Sequence, residues 1–323
     1  MPDVELKTVS EDEVDLRVDR WFKRHYPALP FGRLAKLLRT GQVRVNGRRA
    51  SPGDRLDAGS EIRVPPLESE TAPRPSPKAH MPVKPEDAAA LRDAILYQDD
   101  HIIAINKWPG LAVQGGSGTA RHLDGMLDAL KMGGERPRLV HRLDRDTSGV
   151  LLLARSQKAA SHLTKAFRDG DIEKTYWALV IGVPAIKQGE IDMPLAKVKG
   201  PHGEQMGHAE DGQAAKTLYD TMETAGQRLA WLALRPVTGR THQLRVHCAG
   251  IGHPILGDRK YGGPEAQVEG FEKRLHLHAR SLTFPTLDGR RKEVKASLPP
   301  HMQASWDFLE LDQSREGFED ADS

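Results

Sequence analysis

The sequence of 323 residues predicts an α+β protein, with a small N-terminal domain ahead of a larger one built around a largely antiparallel mixed sheet. Two observations separate the domains and a third sets the class. Residues 65–89 carry seven prolines in 25 positions and almost no large apolar side chain, which reads as an extended linker. The segments on either side each have an apolar pattern of their own. After the linker, short apolar runs recur between Gly- and Pro-containing loops, helical patterns are few, and no regular βαβ alternation appears. The expected boundaries are therefore a basic domain over 14–64, the linker over 65–89, a large domain over 90–306 and an acidic tail over 307–323.

In the small domain, Val18, Trp21 and Phe22 mark one amphipathic helix, and Leu34, Leu37 and Leu38 mark a second. A hairpin follows, Val43–Val45 and Arg48–Arg49, with Asn46-Gly47 as its two-residue turn. In the large domain, Ile102–Ile105, Leu139–His141 and Val150–Leu153 read as strands, the last two bracketing the polar loop Arg142–Gly149. Ser156 is expected to cap a helix that carries Ala159, Leu163, Ala166 and Phe167 on one face and ends at Gly170. Further strands are expected over Thr175–Ile181, Ala215–Thr221, Leu229–Leu234 and Leu275–Phe284. A helix over Thr241–Ile251 would point Leu244, Cys248 and Ile251 inward.

Composition narrows the function classes. Hydrophobic residues make up 38%, charged residues 28% and aromatics 5%, the profile of a polar globular protein. No apolar run approaches the roughly 20 residues of a membrane helix, and the first residues lack a secretory pattern, so a cytoplasmic protein is expected. The single cysteine, Cys248, can form neither an internal disulfide nor a thiolate metal cluster. Residues 1–13 carry a net charge of −4 and residues 307–323 one of −6, which against a total of +2 leaves +12 on residues 14–306. That excess suits a polyanionic partner. Residues 14–64 alone carry +7, with Arg33, Lys36, Arg39, Arg44, Arg48 and Arg49 gathered in the second helix and the hairpin, a pattern that favours phosphate contacts.

The run FGRLAKLLRTGQVRVNGRRASPGDRLDAGSEIRVPP resembles the αL-type RNA-binding domain of small-subunit ribosomal proteins, tyrosyl-tRNA synthetases and several RNA-modifying enzymes. That resemblance implies binding of structured RNA by shape and charge. In the large domain, His141-Arg142-Leu143-Asp144-Arg145-Asp146-Thr147-Ser148-Gly149 places two acids and two arginines between apolar strands, where functional loops are often found. HRLDRDTSG followed by VLLLAR resembles the signature of the large-subunit ribosomal pseudouridine synthases. Four further segments are similar to that family: NKWPGLAVQ, with Trp108 where the family has proline, EKTYWALVIG, TGRTHQLRVHCAGIGHPILGD and LHLHARSLTF. Together they span most of residues 95–285, and the arrangement is closest to the 23S rRNA enzymes of the C and D types, leaning to C.

The resemblance implies roles for individual residues. Pseudouridylation breaks the bond between ribose carbon 1 and base nitrogen 1, rotates the uracil and joins its carbon 5, with no change in redox state and no cofactor. Asp144 would supply the carboxylate that attacks the anomeric carbon or removes a ribose proton. Asp146, in the variable part of the motif, would be structural. Arg245 would be the cation paired with Asp144, with Arg240 as its competitor for that place. Tyr176 would stack on the uracil and accept the proton from carbon 5, Leu277 would pack on the other face of the base, and Arg142 would enter the RNA stack as the base flips out.

Other signals point away from other chemistries. His276 and His278 share a strand face, but no third ligand stands at metal spacing, so no metal is expected. GGSGT at 115–119 lacks the ending of a phosphate loop, and no Gly-x-Ser-x-Gly elbow is present. The expected function is isomerisation of uridines in 23S rRNA or the ribosomal large-subunit precursor, by a protein with no membrane attachment. The alternatives are the same chemistry on transfer RNA, or a non-catalytic RNA-binding ribosome assembly factor.

Overall fold

The computed structural model describes residues 4–67, 83–116, 119, 121–131, 134–200, 203–315 and 317–318. The chain divides into two compact units, Met1–His80 and Met81–Ser323. Most of the sequence-predicted linker, residues 68–82, lies outside the described residues, as do 117–118 of the GGSGT stretch and 319–323 of the acidic tail.

The first unit comprises β1 (Glu5–Thr8), α1 (Val18–His25), α2 (Phe31–Arg39), β2 (Arg44–Val45), β3 (Arg48–Arg49) and β4 (Glu61–Val64). Its strands lie in the order β1-β4-β2-β3. Val18, Trp21, Phe22, Leu34 and Leu38 from the two helices close on Val43, Leu56, Ile62 and Val64, all buried. The hairpin turn takes positive φ at both Asn46 (48°) and Gly47 (73°), the type I′ geometry that matches strand twist. β1 falls within the acidic leader, where no element was expected, and pairs antiparallel with β4. Sheet pairing, not local propensity, makes that strand.

The second unit runs α3 (Pro85–Asp93), β5 (Ile95–Gln98), β6 (Ile102–Lys107), α4 (Leu123–Met126), β7 (Arg138–Leu139), β8 (Ser148–Ala154), α5 (Gln157–Asp169), β9 (Glu173–Ile181) and β10 (Gln188–Asp192). It continues with β11 (Leu195–Gly200), β12 (Gly203–His208), β13 (Lys216–Ala225), β14 (Leu229–Pro236), α6 (Gln243–Gly250), β15 (Leu277–Pro285), β16 (Arg291–Lys295) and α7 (Pro300–Phe308). Among the described residues, ten of these strands form one sheet in the order β10-β13-β14-β9-β15-β8-β6-β5, with β16 beside β15 and β7 beside β8. Only the β15–β8 pair is parallel, so the sheet is mixed and largely antiparallel.

Strict alternation explains the two faces of its centre. Ile103, Ile105, Leu151 and Leu153 join a core that includes Leu91 of α3 and Leu123 and Met126 of α4. Ile102, Ala104, Val150, Leu152 and Ala154 turn to the opposite face, against Ala159, Leu163 and Ala166 of α5. Helix α5 starts where Ser156 Oγ accepts the Ala159 N–H (3.1 Å) and stops at Gly170, φ 79°. Further along the sheet, Trp177 and Trp231 meet Trp306 of α7 on one face, while Val180, Leu232 and Leu234 meet Leu244 and Cys248 of α6 on the other.

Boundaries differ where long-range contacts decide them. The last five residues of the expected linker, 85–89, belong to α3, tied down by Asp87, which takes a forked pair of bonds from Arg121. β7 ends at Leu139 instead of reaching His141, because the His141 ring, not its backbone, takes up the Leu152 N–H (2.8 Å). Helix α6 begins two residues late because His242 is left-handed (φ 54°). The expected acidic tail starts inside α7, and its Leu311 is buried with Trp306 and Leu298.

Candidate active site

The polar loop between β7 and β8 is fastened at both ends and along its middle. Leu143 is buried in the α3/α4 core, and Gly149 opens β8 with φ 109° where a Cβ would stand 2.2 Å from the Ala279 carbonyl oxygen. Only glycine allows β8 and β15 to approach so closely. The Arg145 carbonyl accepts from the Gly110 N–H (2.9 Å) and from Lys107 Nζ (3.0 Å). Lys107 is fully buried and also donates to the carbonyls of Trp108 and Leu111, stapling the NKWPG turn to the loop. Burial pushes its pKa down to about 8, against the opposing fields of Asp146 and Asp144. Between the anchors, Asp144 keeps its side chain 19% exposed.

That carboxylate lies in the lining of a cavity of about 560 Å³, within the range of small-ligand sites. All six large-domain residues singled out from the sequence line it: Arg142, Asp144, Tyr176, Arg240, Arg245 and Leu277. The register explains two of them. Tyr176 of β9 lies opposite Ala279 of β15 and Leu277 opposite Ala178, so the two side chains are diagonal neighbours on one sheet face. Burial and the Asp144 charge hold the Tyr176 phenol well above its usual range, so it is neutral. Arg142 and Arg240 are exposed, with the Arg240 Nε on the Ala214 carbonyl (3.1 Å). Gln243 bonds Thr238, the Arg240 N–H, the Lys216 carbonyl and Thr217, holding the 237–242 loop against β13.

The expected ion pair is arranged differently. Arg245 does not pair directly with Asp144; its Nε and a terminal nitrogen both reach Asp258, each at 2.7 Å, in a buried fork. Arg245 nevertheless acts on Asp144 at longer range. Burial opposes its charge, but the Asp258 bonds and the fields of Asp258 and Asp144 more than offset this and raise its pKa. Asp258 comes from the GHPILGD segment, 13 residues beyond Arg245, and Gly257 before it has φ 79° with no room for a Cβ against the Arg274 carbonyl. The same Asp258 accepts from the N–H groups of Lys260 and Tyr261. The side chain in contact with Asp144 is instead His242, with Nε2 3.8 Å from Oδ1. His242, Asp258, Tyr261 and Lys107 were given no role from sequence, although all but Tyr261 stand in segments that carried the resemblance.

A second cavity of about 520 Å³ shares Asp144, His242 and Arg245 with the first and adds Arg145, Arg259, Lys260, Lys273 and Arg274. Asp144 thus stands at a junction with a group of arginines and lysines on one side. Among the described residues no cluster of three His, Cys, Asp or Glu has metal geometry. His278 bridges Ser148 Oγ and the Ala296 carbonyl, His276 bridges the Arg274 carbonyl and Ser305 Oγ, and Cys248 is buried, its thiol pushed up to about 12. No helix among the described residues is long and apolar enough to cross a membrane.

In the first unit, Lys36, Arg39, Arg44, Arg48 and Arg49 are exposed and Arg33 is partly buried. Arg44 lies directly opposite Arg49 on one side and Arg63 on the other, a row of three arginines across β3, β2 and β4. Arg63 was not singled out from the sequence.

A mixed sheet with this acid-bearing loop and basic cavity defines a class, and the comparisons identify it. A family model described as RNA pseudouridylate synthase matches residues 101–250. The chain is 38% identical over 292 residues to the Ribosomal large subunit pseudouridine synthase C of Salmonella typhimurium, covering 88% of this chain and 89% of that one. It is 37% identical over 292 residues to the protein of that name from Escherichia coli K12, with the same coverage, and 34% identical over 300 residues to that of Rickettsia felis, covering 88% and 94%. Among solved structures, Human RNA Pseudouridylate Synthase Domain Containing 4 matches with a TM-score of 0.60 and 30% identity over 69% of this chain and 95% of that one. The chain belongs to the RNA pseudouridylate synthase family. It is an isomerase of uridine in RNA.

Proposed function

We propose that this enzyme converts specific uridines of 23S rRNA, in the large subunit or its precursor, to pseudouridine in the cytoplasm, with Asp144 as the reacting carboxylate. The observation that carries the reading is the single cavity in which Asp144 meets Tyr176, Leu277 and the field of a locked Arg245. The ribosomal target is supported by the names of relatives that match over 88% of the chain. A flipped uridine enters the cavity at a cost of a few kcal/mol, with Arg142 at the mouth to fill the vacated stack. Tyr176 and Leu277 contact the uracil, and Asp144 acts on the sugar, at the anomeric carbon or on a ribose proton. Because Tyr176 is held neutral, its oxygen takes the carbon 5 proton as its own hydroxyl proton leaves towards the Asp144 carboxylate.

The cations of the second cavity suit phosphates flanking the target, and the row Arg49, Arg44 and Arg63 suits phosphates elsewhere on the RNA. Like charges facing one another across strands are destabilising until an anion lies among them. The test is a map of pseudouridines in 23S rRNA from cells with and without the gene, alongside the purified protein and Asp144→Asn on 23S transcripts. Defined 23S sites should vanish with the gene, and Asp144→Asn should bind RNA without turnover. Loss of sites in transfer RNA alone, or turnover by Asp144→Asn above a tenth of wild type, would overturn the reading.

A further inference from the structure

We propose that His242 is the positioning residue for Asp144: a neutral imidazole, fixed in one tautomer by Tyr261, whose Nε2–H orients the carboxylate without neutralising it. This rests on Asp144 being the reacting acid. His242 is one of five non-glycine residues with positive φ (54°) among the described residues, a strained backbone state that persists where surrounding contacts impose it. Its side chain makes no helix cap; the strain instead sends the ring into the wall shared by both cavities. There Nδ1 lies 2.6 Å from Tyr261 Oη, and Nε2 lies 3.8 Å from Asp144 Oδ1. The Asp144 carboxylate can only accept, so the nitrogen that faces it is the protonated one, and Nδ1 accepts from the Tyr261 hydroxyl, which burial keeps protonated. With Nδ1 accepting, the ring proton sits on Nε2, facing Asp144.

The charge balance agrees with a neutral ring. Burial, Arg245 and Lys260 oppose protonation more than Asp144 and Asp258 favour it, so the His242 pKa is lowered. Full contact with a cation would spend the carboxylate's charge. Arg245 is prevented from giving that contact by its fork on Asp258, and Asp258 also fixes Tyr261 through its backbone N–H. One buried acid therefore holds back the strong cation and aims the weak donor.

The experiment compares His242→Gln, His242→Asn and Tyr261→Phe in the full chain, measuring single-turnover rate at saturating 23S fragment and RNA affinity separately. Gln can place an N–H near the Nε2 position, whereas Asn cannot reach it but tolerates positive φ better. A positioning role predicts that Asn lowers the rate by about 100-fold, the scale of a misplacement near 1 Å, with affinity unchanged. Gln should recover about ten-fold of that rate, and Tyr261→Phe should fall between Gln and wild type. A purely structural role predicts the reverse order, Asn above Gln, with thermal midpoints in the same order. Asn at the wild-type rate, or Asn and Gln equally impaired, overturns the proposal. Asp144→Asn assayed in parallel separates the two failures, since turnover there overturns the assignment of Asp144 and leaves no acid for His242 to position.

Discussion

The two units hold their charge in opposite ways. In the first, five of the six singled-out cations are exposed and the sixth partly so, and Arg44 even faces Arg49 and Arg63 across strands. In the second, Arg245 and Asp258 are buried as a two-bond fork and Lys107 is fully enclosed by three carbonyls. Exposed cations contribute small, interchangeable amounts to affinity for a polyanion and are screened by salt. Buried ones are costly to desolvate and fix geometry, so each is individually indispensable. On the proposed function, the difference would separate holding an RNA from acting on one atom of it.

The largest effect should follow from opening the buried fork. Arg245→Met leaves Asp258 buried without its partner, which should cost about 3–5 kcal/mol of stability and lower turnover at least 100-fold. Chemical denaturation and single-turnover kinetics measure both. If Arg240→Met loses activity and Arg245→Met keeps it, the locked cation is the wrong one. Acid comes next. Burial lowers the pKa of His276 to about 4 and of His278 to about 3, so unfolding takes up protons below pH 6.5. Their contribution is complete above about 6.5 and fades as pH falls towards 3–4, by up to about 1.4 kcal/mol per pH unit for each. Denaturation midpoints of the second unit between pH 7 and 4.5 should fall accordingly, and a flat profile would refute it.

Tyr176→Phe keeps the ring and removes the oxygen, and should lower turnover about 10²–10⁴-fold with RNA affinity intact. An unchanged rate would mean another acceptor for the carbon 5 proton. The smallest effects belong to the first unit. Arg49→Ala should weaken 23S binding uniformly and reduce the log-log salt slope by about one unit, leaving the saturated single-turnover rate as it was. Deleting residues 1–80, the whole first unit, should flatten that slope by several such units, while chemistry on a short saturating stem-loop survives. An unchanged slope in both would remove RNA binding from that unit.

Much of the fold is legible in local pattern. Ile102–Lys107 and the run within Ser148–Ala154 are short, nearly continuous apolar stretches, the mark of strands buried on both faces, Asn46-Gly47 dictates its turn, and Ser156 and Gly170 bracket α5. β1, α3 and the described part of the acidic tail were not legible, because partners far along the chain hold them: β4, Arg121 and Trp306. The cavity's six residues were readable because each stands in a segment similar to the family.

What the sequence by itself determined is the set of chemical groups: an acid in a polar loop, a tyrosine and a leucine on two separate strands, and arginines near a helix start. The tertiary structure decided who pairs with whom. Arg245 chose Asp258 over Asp144, and a left-handed His242 took the place beside Asp144. Strand alternation and turns follow from sterics within a few residues, so a sequence displays them. An ion pair forms with whichever opposite charge the packed backbone brings within a few ångström, and that distance is fixed only when sheet register and loop closure are complete.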